Sequence, residues 1–123
     1  MIQDRSLVVV ADNSGAKIGR IFKILGSAGK RYAEIGELVV LSVQIAEPRK
    51  AVKKKDVLKA VVVRQRKAFR RKDGSYIRFD ENAVVILEGD KKEPKAGRIF
   101  GPIPRELQEL GYQTIISRAP EVV

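Results

Sequence analysis

Short apolar runs separated by turn-forming residues are the feature that most constrains how this chain of 123 residues can fold. Within residues 38–46 apolar and polar side chains alternate, so Val39, Leu41, Val43 and Ile45 are expected to face one side of a strand. Several short strands with turns at roughly ten-residue spacing favour a small β-barrel or a sandwich, in the mainly β class. The predicted strands cover residues 7–10, 17–25, 38–46, 57–63 and 83–87.

The C-terminal end has a different pattern. Residues 101–104 are rigid and non-helical, and Pro104 can occupy the first position of a short helix that Gly111 ends. Ile103, Leu107 and Leu110 would share one face of this helix, which is too short to be stable unless it docks on the sheet. Residues 114–117 are predicted to form a last strand. We expect one domain over residues 1–123, with a barrel over about 1–100 and a C-terminal region over about 101–123.

The residue types that are missing exclude several kinds of chemistry. The chain has no Cys and no His, so it offers no thiol nucleophile, no imidazole base and no ordinary zinc site. We therefore expect no enzyme, no metal site and no cofactor. No apolar stretch approaches the roughly 20 residues of a membrane helix, and residues 1–5 resemble neither a signal peptide nor a transit peptide.

The positive charge is concentrated in one segment. Residues 49–72 hold twelve basic side chains and one acid, a local charge of +11, whereas the other 99 residues sum to −1. Solubility alone does not require such asymmetry, but a polyanion-binding surface does. A solvated basic face and an anionic membrane are the alternatives. The membrane is disfavoured because the charges flank a strand rather than an amphipathic helix.

Among polyanions, folded RNA is favoured. Phe69 is the only aromatic residue inside the basic segment, and Tyr76 lies opposite it. So few aromatic side chains argue against a protein that binds single strands by stacking on their bases. No long basic helix is available to read a DNA major groove, so DNA is not an expected partner. Recognition through shape and backbone phosphates suits these residues better.

The basic segment itself is predicted to form a hairpin. The strand through residues 57–63 is expected to continue to residue 67, which places Arg64 and Arg66 on one face. Asp73 and Gly74 give a tight turn, so Arg70, Arg71 and Lys72 would stand near the tip of a projecting basic hairpin. A structural role is favoured for the turn at residues 12–15. The expected RNA contacts are Arg49, Lys50, Lys53, Lys54, Lys55, Arg64, Arg66, Lys67, Arg70, Arg71, Lys72, Arg78, Asn13 and Ser14.

Several motifs in a fixed order resemble one family nearly from end to end, the universal large-subunit ribosomal protein number fourteen of the bacterial type. The motifs lie at residues 12–16, 60–63, 73–74, 85–86, 98–102 and 115–122, with Phe79 and Asn82 between the third and fourth. The resemblance implies a five-stranded β-barrel with a projecting hairpin and short C-terminal helices. It implies a structural constituent of the large subunit in the cytoplasmic ribosome, bound to large-subunit rRNA and bridging to small-subunit rRNA.

The resemblance also implies protein partners. These are the neighbouring large-subunit proteins nineteen and three, and the ribosome silencing factor that blocks subunit joining. The expected protein or subunit interface comprises Arg98, Ile99, Phe100 and Arg118, although Ile99 and Phe100 could equally belong to the core. Gly97 stands where some relatives have Thr. A free RNA-binding regulator and a polyanion-activated enzyme are the rival functions.

Overall fold

The computed structural model describes residues 2–3, 5–26, 32–89 and 91–123, and most of its regular structure is β. Two short helices lie near the C-terminal end. The elements are β1 (Ile2–Gln3), β2 (Leu7–Val10), β3 (Ala16–Ile24), β4 (Tyr32–Ala33), β5 (Leu38–Ala46), β6 (Val57–Arg64), β7 (Phe69–Arg70), β8 (Tyr76–Ile77), β9 (Ala83–Ile86), β10 (Pro102–Ile103), α1 (Glu106–Glu109), α2 (Gln113–Arg118) and β11 (Glu121–Val122).

Five strands close into a barrel in the order β2, β3, β5, β6, β9. Strand β9 completes the ring because it pairs antiparallel with β6 on one side and parallel with β2 on the other. The barrel interior is filled by apolar side chains that include Ile21, Leu41, Val62, Val84 and Ile86. Closure removes free strand edges from a small domain. The barrel alternative is thus confirmed over the sandwich.

Strand β9 and the part of β6 from Ala60 onwards are buried on both faces. Val62 and Val84 point into the barrel, whereas Val61, Val63 and Val85 belong to a second apolar cluster outside it. The second cluster is completed by Ile103, Leu107 and Ile115 from the C-terminal segment. Burial on both faces explains why these two strands are continuous apolar runs rather than alternating ones. The C-terminal segment therefore packs directly on the barrel wall.

Strand β5 departs from its predicted alternation at one position. Val39, Leu41 and Val43 are buried as expected, but Ile45 is 50% exposed. The pairing with β3 shifts here, since Ile45 lies opposite Ile18 while Val43 lies opposite Gly19, and Gln44 has no partner. This β-bulge adds one residue and turns the following side chain to the other face. The prediction that Ile45 shares a face with Val39, Leu41 and Val43 was wrong.

The predicted last strand is a helix. Residues 114–117 lie within α2, where Ile115 is fully buried in the second cluster and Ile116 is partly buried against it. The Ser117 hydroxyl donates a hydrogen bond to the Thr114 carbonyl, a contact of helical spacing. Two adjacent isoleucines suggested a strand, but β propensity is weak and tertiary packing overrides it. Within the described residues, the named strands of this segment pair only with each other, through the parallel pairing of β10 with β11.

The other short helix matches its predicted position. Helix α1 starts two residues after Pro104, and Gly111 follows it with a positive φ of 95°. Ile103 and Leu107 are fully buried, as their shared face predicted, but Leu110 is 45% exposed and lies over Gly36. No helix in the described part of the chain is both long and apolar enough to cross a membrane. The division at about residue 100 stays a prediction.

The two isoleucines of α2 offer a test of how this helix packs on the second apolar cluster. Replacing Ile115 with Ala should lower the free energy of unfolding by about 2–4 kcal/mol, because its fully buried side chain would leave a cavity. The neighbouring Ile116→Ala should cost about 1 kcal/mol, since that side chain is only partly buried. Urea denaturation of both variants measures the difference. Equal losses would contradict this difference in burial between the two side chains.

Candidate nucleic-acid interface

Strand β6 divides the basic segment into two parts. Residues 47–56 join β5 to the start of β6, and residues 65–82 follow its end. A strand of this length separates its ends by about 23 Å. We call Arg49, Lys50, Lys53, Lys54 and Lys55 the loop cluster. Arg66, Lys67, Arg70 and Arg78 are the hairpin cluster. A charge block that is continuous in sequence is therefore two separate surfaces in the folded protein.

The loop cluster is displayed by a loop that is fixed to the barrel. Val52 is fully buried and anchors the loop to the core. The Asp56 carboxylate accepts a hydrogen bond from the Lys53 backbone N–H at 3.0 Å, and the Lys55 N–H donates to the Val43 carbonyl at 2.8 Å. All five basic side chains are exposed, and none has an ion-pair partner among the described residues. The loop thus holds its cations in place without neutralising them.

The turn at residues 12–15 packs against this loop. The buried Asp12 carboxylate accepts hydrogen bonds from the Ser14 N–H at 3.1 Å, the Ser14 hydroxyl at 2.6 Å and the Ile86 N–H at 2.9 Å. Burial raises the pKa of Asp12, and these three hydrogen bonds oppose the rise. Gly15 has a φ of 112°, and a Cβ there would lie 2.3 Å from the Cβ of Lys50. The geometry supports the favoured structural role for this turn.

The two turn residues predicted to contact RNA lie in different environments. Ser14 is 6% exposed, and its hydroxyl points inward to Asp12. Asn13 is exposed, and its side-chain oxygen accepts a hydrogen bond from the Arg98 N–H at 3.2 Å. Only Asn13 therefore has its side chain at the surface in this structure.

The predicted hairpin forms around Asp73 and Gly74. Strands β7 and β8 pair Phe69 with Ile77 and Arg70 with Tyr76. The turn is one residue longer than the tight two-residue type, because the Arg71 N–H bonds to the Ser75 carbonyl and Gly74, with a φ of 90°, donates to the Arg71 carbonyl. The Asp73 carboxylate accepts hydrogen bonds from the N–H and hydroxyl of Ser75, which lower the pKa of Asp73.

Two polar side chains that the sequence analysis missed fix the base of this hairpin. Gln65 is 2% exposed, accepts a hydrogen bond from the Ile35 N–H at 3.3 Å and donates to the Lys67 carbonyl at 2.9 Å. The Asn82 side-chain oxygen accepts from the Arg66 N–H at 2.9 Å. An uncharged polar residue between two arginines, two positions after a buried valine run, was the available signal for Gln65. The four cations of the hairpin cluster are exposed and unpaired within the described residues.

Arg64 does not belong to either cluster. Its side chain is 6% exposed, and its guanidinium donates to the Phe100 carbonyl at 2.8 Å, the Pro102 carbonyl at 3.0 Å and the Glu81 carboxylate at 3.1 Å. Burial lowers the pKa of Arg64, and the charge of Glu81 opposes this shift. The expectation that Arg64 and Arg66 share an exposed face was wrong, because β6 ends at Arg64 and the chain then turns.

The tip of the hairpin contacts the C-terminal segment. Arg71 Nε lies 3.0 Å from Glu106 Oε2, and its Nη2 also bonds to the Val123 carbonyl. Lys72 Nζ lies 3.3 Å from Glu109 Oε2. Two of the expected RNA contacts are therefore paired with acids of α1 in the free protein. The sequence did not indicate this pairing, because the partners are 35 and 37 residues apart.

The residues expected at a protein interface divide between core and surface. Ile99 is 1% exposed and forms a bridge with Asp12, so it belongs to the core. Phe100 is 46% exposed, and the Arg98 guanidinium lies 5.7 Å from the centre of its ring. Arg118 is exposed and donates to the Ala96 carbonyl at 3.0 Å. Of the four, only Ile99 is placed where no partner can reach it.

The described residues contain no group of three or more acidic side chains that could hold a metal ion. The exposed cations of the two clusters give this surface the chemistry to bind anions. Charge, rather than a cavity with reactive groups, is the property that distinguishes it.

Arg64 and Arg66, two residues apart, should respond differently to the same substitution. Arg64→Met should lower the free energy of unfolding by about 2–4 kcal/mol, because two backbone carbonyls and the Glu81 carboxylate lose their donor. Arg66→Met should change it by less than about 0.5 kcal/mol, since the side chain is exposed. Urea denaturation at neutral pH compares them. A stable Arg64→Met variant would show that the internal contacts of Arg64 contribute little.

The comparison with known families agrees with this arrangement. The model of the family described as Ribosomal protein L14p/L23e matches residues 1–123. The match covers the barrel, both cationic clusters and the C-terminal helices, and it confirms the resemblance found in the sequence. Members of this family are structural constituents of the large subunit of the cytoplasmic ribosome. This chain belongs to the L14p/L23e family of ribosomal proteins.

Proposed function

We propose that this protein binds large-subunit rRNA through the loop cluster and the hairpin cluster, and that it holds two RNA segments at a fixed separation. The observation that carries the proposal is the position of nine exposed basic side chains at the two ends of β6, all without ion-pair partners among the described residues. The barrel between them acts as a spacer of about 23 Å. Membership of a large-subunit family supports rRNA as the polyanion.

The two clusters suit phosphate recognition in different ways. The loop cluster is mostly lysine, which acts as a point charge, releases counterions and contributes affinity that falls as salt rises. The hairpin cluster is mostly arginine, whose planar fork makes bidentate contacts with phosphate. The loop is tied to the core and the hairpin base is fixed by Gln65, so little backbone entropy is lost on binding. These properties favour recognition of folded RNA by its shape and backbone.

We extend the proposal to the subunit interface. One RNA segment would belong to the small subunit, which makes the protein part of an intersubunit bridge. The surface around Arg98, Phe100 and Arg118 would contact large-subunit proteins nineteen and three and the ribosome silencing factor. Gly97 stands beside this surface, and a Cβ added there would meet no atom within 4 Å. Gly and Thr can therefore occupy this position without a change of the backbone.

The first test asks where the protein sediments. A lysate is centrifuged through a gradient at roughly half-molar salt, where weak counterion-driven binding is lost. We expect the protein to travel with the large subunit. If it stays at the top of the gradient, the rival function as a free RNA-binding regulator is correct.

The second test separates the two clusters. Replacing Arg49, Lys53, Lys54 and Lys55 with Gln should lower affinity for deproteinised large-subunit rRNA and reduce its salt slope by roughly one to three units. The matched variant Arg66, Lys67, Arg70 and Arg78→Gln should do the same. Filter binding at several salt concentrations measures both slopes.

The control removes four positive charges outside both clusters, at Arg20, Lys23, Lys91 and Lys95, which are all exposed. It should change the slope much less than either cluster variant. If all three variants behave alike, the protein binds RNA through its net charge, and neither cluster is a specific surface. Thermal denaturation of each variant verifies that the barrel is folded, because the replaced side chains lie outside the core.

A further inference from the structure

Strands β7 and β8 form a hairpin too short to be stable by itself. Only two residue pairs join the strands, Phe69 with Ile77 and Arg70 with Tyr76. An isolated two-stranded hairpin is marginal in water even when it is longer. Its position must therefore be set by contacts with the rest of the protein. At its base these contacts come from Gln65 and Asn82, and at its tip they come from the C-terminal segment.

Three ion pairs connect the tip to helix α1 and the residue before it. Arg71 meets Glu106 at two points, with Nη2 donating to Oε1 at 3.1 Å and Nε 3.0 Å from Oε2. Lys72 pairs with Glu109 at 3.3 Å, and Arg105 lies 3.9 Å from Asp73. Consecutive residues of the tip thus face charges of opposite sign on the C-terminal segment.

The three pairs differ in burial, and this identifies the one that matters. The Arg71 side chain is 10% exposed and that of Glu106 is 29% exposed, whereas Lys72 and Glu109 are 91% and 64% exposed. An exposed pair between flexible side chains contributes almost nothing, because water and salt screen it. The Arg71–Glu106 pair has one charge-assisted hydrogen bond, from Nη2, and Nε lies close to the second carboxylate oxygen without a hydrogen bond of its own. Such a pair around a nearly buried guanidinium is screened less than an exposed pair and is therefore stronger. Arg71 also bonds to the Val123 carbonyl, which gives it a second anchor on the same segment.

We propose that Glu106 is a positioning residue for RNA binding: through Arg71 it holds the hairpin in the place where Arg66, Arg70 and Arg78 can meet phosphate together. This inference deepens the proposed function and rests on it. Glu106 itself touches no RNA. It acts by keeping the hairpin docked on the C-terminal segment before RNA binds. The docked, binding-competent conformation is then the main population of the free protein, and the apparent affinity is not reduced by an undocked population.

The proposal predicts that removing one negative charge weakens RNA binding, the opposite of the effect expected from charge alone. Removing a negative charge from an RNA-binding protein should strengthen binding if only long-range electrostatics act. Glu106→Gln should instead weaken it. If the docked population falls to about one fifth, the apparent affinity for RNA falls about fivefold.

The experiment compares Glu106→Gln with Glu109→Gln, which removes the same charge from the same helix but breaks only an exposed pair. Binding of both variants to deproteinised large-subunit rRNA is measured at one fixed ionic strength. We expect about a fivefold loss for Glu106→Gln and no loss for Glu109→Gln. Binding by Glu106→Gln that equals or exceeds that of the unmodified protein would overturn the proposal, and so would equal losses in the two variants.

Hydrogen exchange supplies a second readout that a change of charge alone would not move. The amides of Arg71 and Gly74 are hydrogen-bonded within the turn. They should exchange many times faster in Glu106→Gln, because the undocked population rises from a minor fraction to about four fifths, while the amides of β5 and β6 stay protected. Faster exchange throughout the barrel would mean that the variant is globally destabilised, and unchanged exchange at the tip would refute positioning.

The variant lacking the four hairpin cations distinguishes failure of this inference from failure of the proposed function. If that variant binds RNA like the unmodified protein, the hairpin is not an RNA surface, and the proposed function fails there together with the role of Glu106. If it binds weakly while Glu106→Gln binds normally, the hairpin role stands and only the positioning role is wrong.

Discussion

Strand β6 packs its inner side chains into the barrel and its outer side chains under the C-terminal helices, and the rest of the structure is arranged around this double burial. Val62 lies in one apolar cluster, and Val61 and Val63 lie in the other. Because no solvated face is left, the strand can carry no charge between Ala60 and Val63. The exposed Lys59 lies just before this buried stretch, and the other exposed basic residues of the segment lie beyond the two ends of the strand, which creates the separation between the loop cluster and the hairpin cluster.

The end of β6 is also the place where buried polar groups replace apolar packing. Arg64 and Gln65 are buried side by side in the sequence, and each bonds to carbonyl or N–H groups of segments far away along the chain. A buried guanidinium is tolerated because its hydrogen bonds are largely satisfied and a carboxylate lies beside it. These contacts join the hairpin base, the segment at residues 100–102 and the barrel into one unit. The basic residues of the charged segment therefore fall into two groups. Some make hydrogen bonds inside the protein, and the others are exposed to solvent.

The same division applies to the hairpin tip, where the C-terminal segment supplies acids to a mostly basic region. The two acids of α1 lie on a helix of only four residues, which is held by Leu107 in the second apolar cluster. Burial of one leucine thus determines where two carboxylates stand, and these in turn determine where Arg71 and Lys72 point. A chain of such contacts couples the apolar packing outside the barrel to the geometry of a cationic surface.

The sequence by itself determined the β class, the positions of the long barrel strands, the hairpin turn at Asp73 and Gly74, and the concentration of charge in one segment. These features depend on neighbouring residues, through side-chain alternation, turn chemistry and composition. It also carried the family resemblance, because motifs in a fixed order are read directly from the chain. It could not separate Arg64 from Arg66, or Ile99 from Phe100, since nearby residues of similar polarity give no local sign of which one is buried.

Only the tertiary structure decided those differences. The bulge at Gln44 that exposes Ile45, the helix at residues 114–117 and the pairing of Arg71 with Glu106 all arise from contacts between segments far apart in the sequence. In each case a local preference was outweighed by packing or by a partner whose position depends on the whole fold. The sequence showed how much charge the chain carries and where along it. The fold decided which charges are used in internal contacts and which remain exposed to solvent.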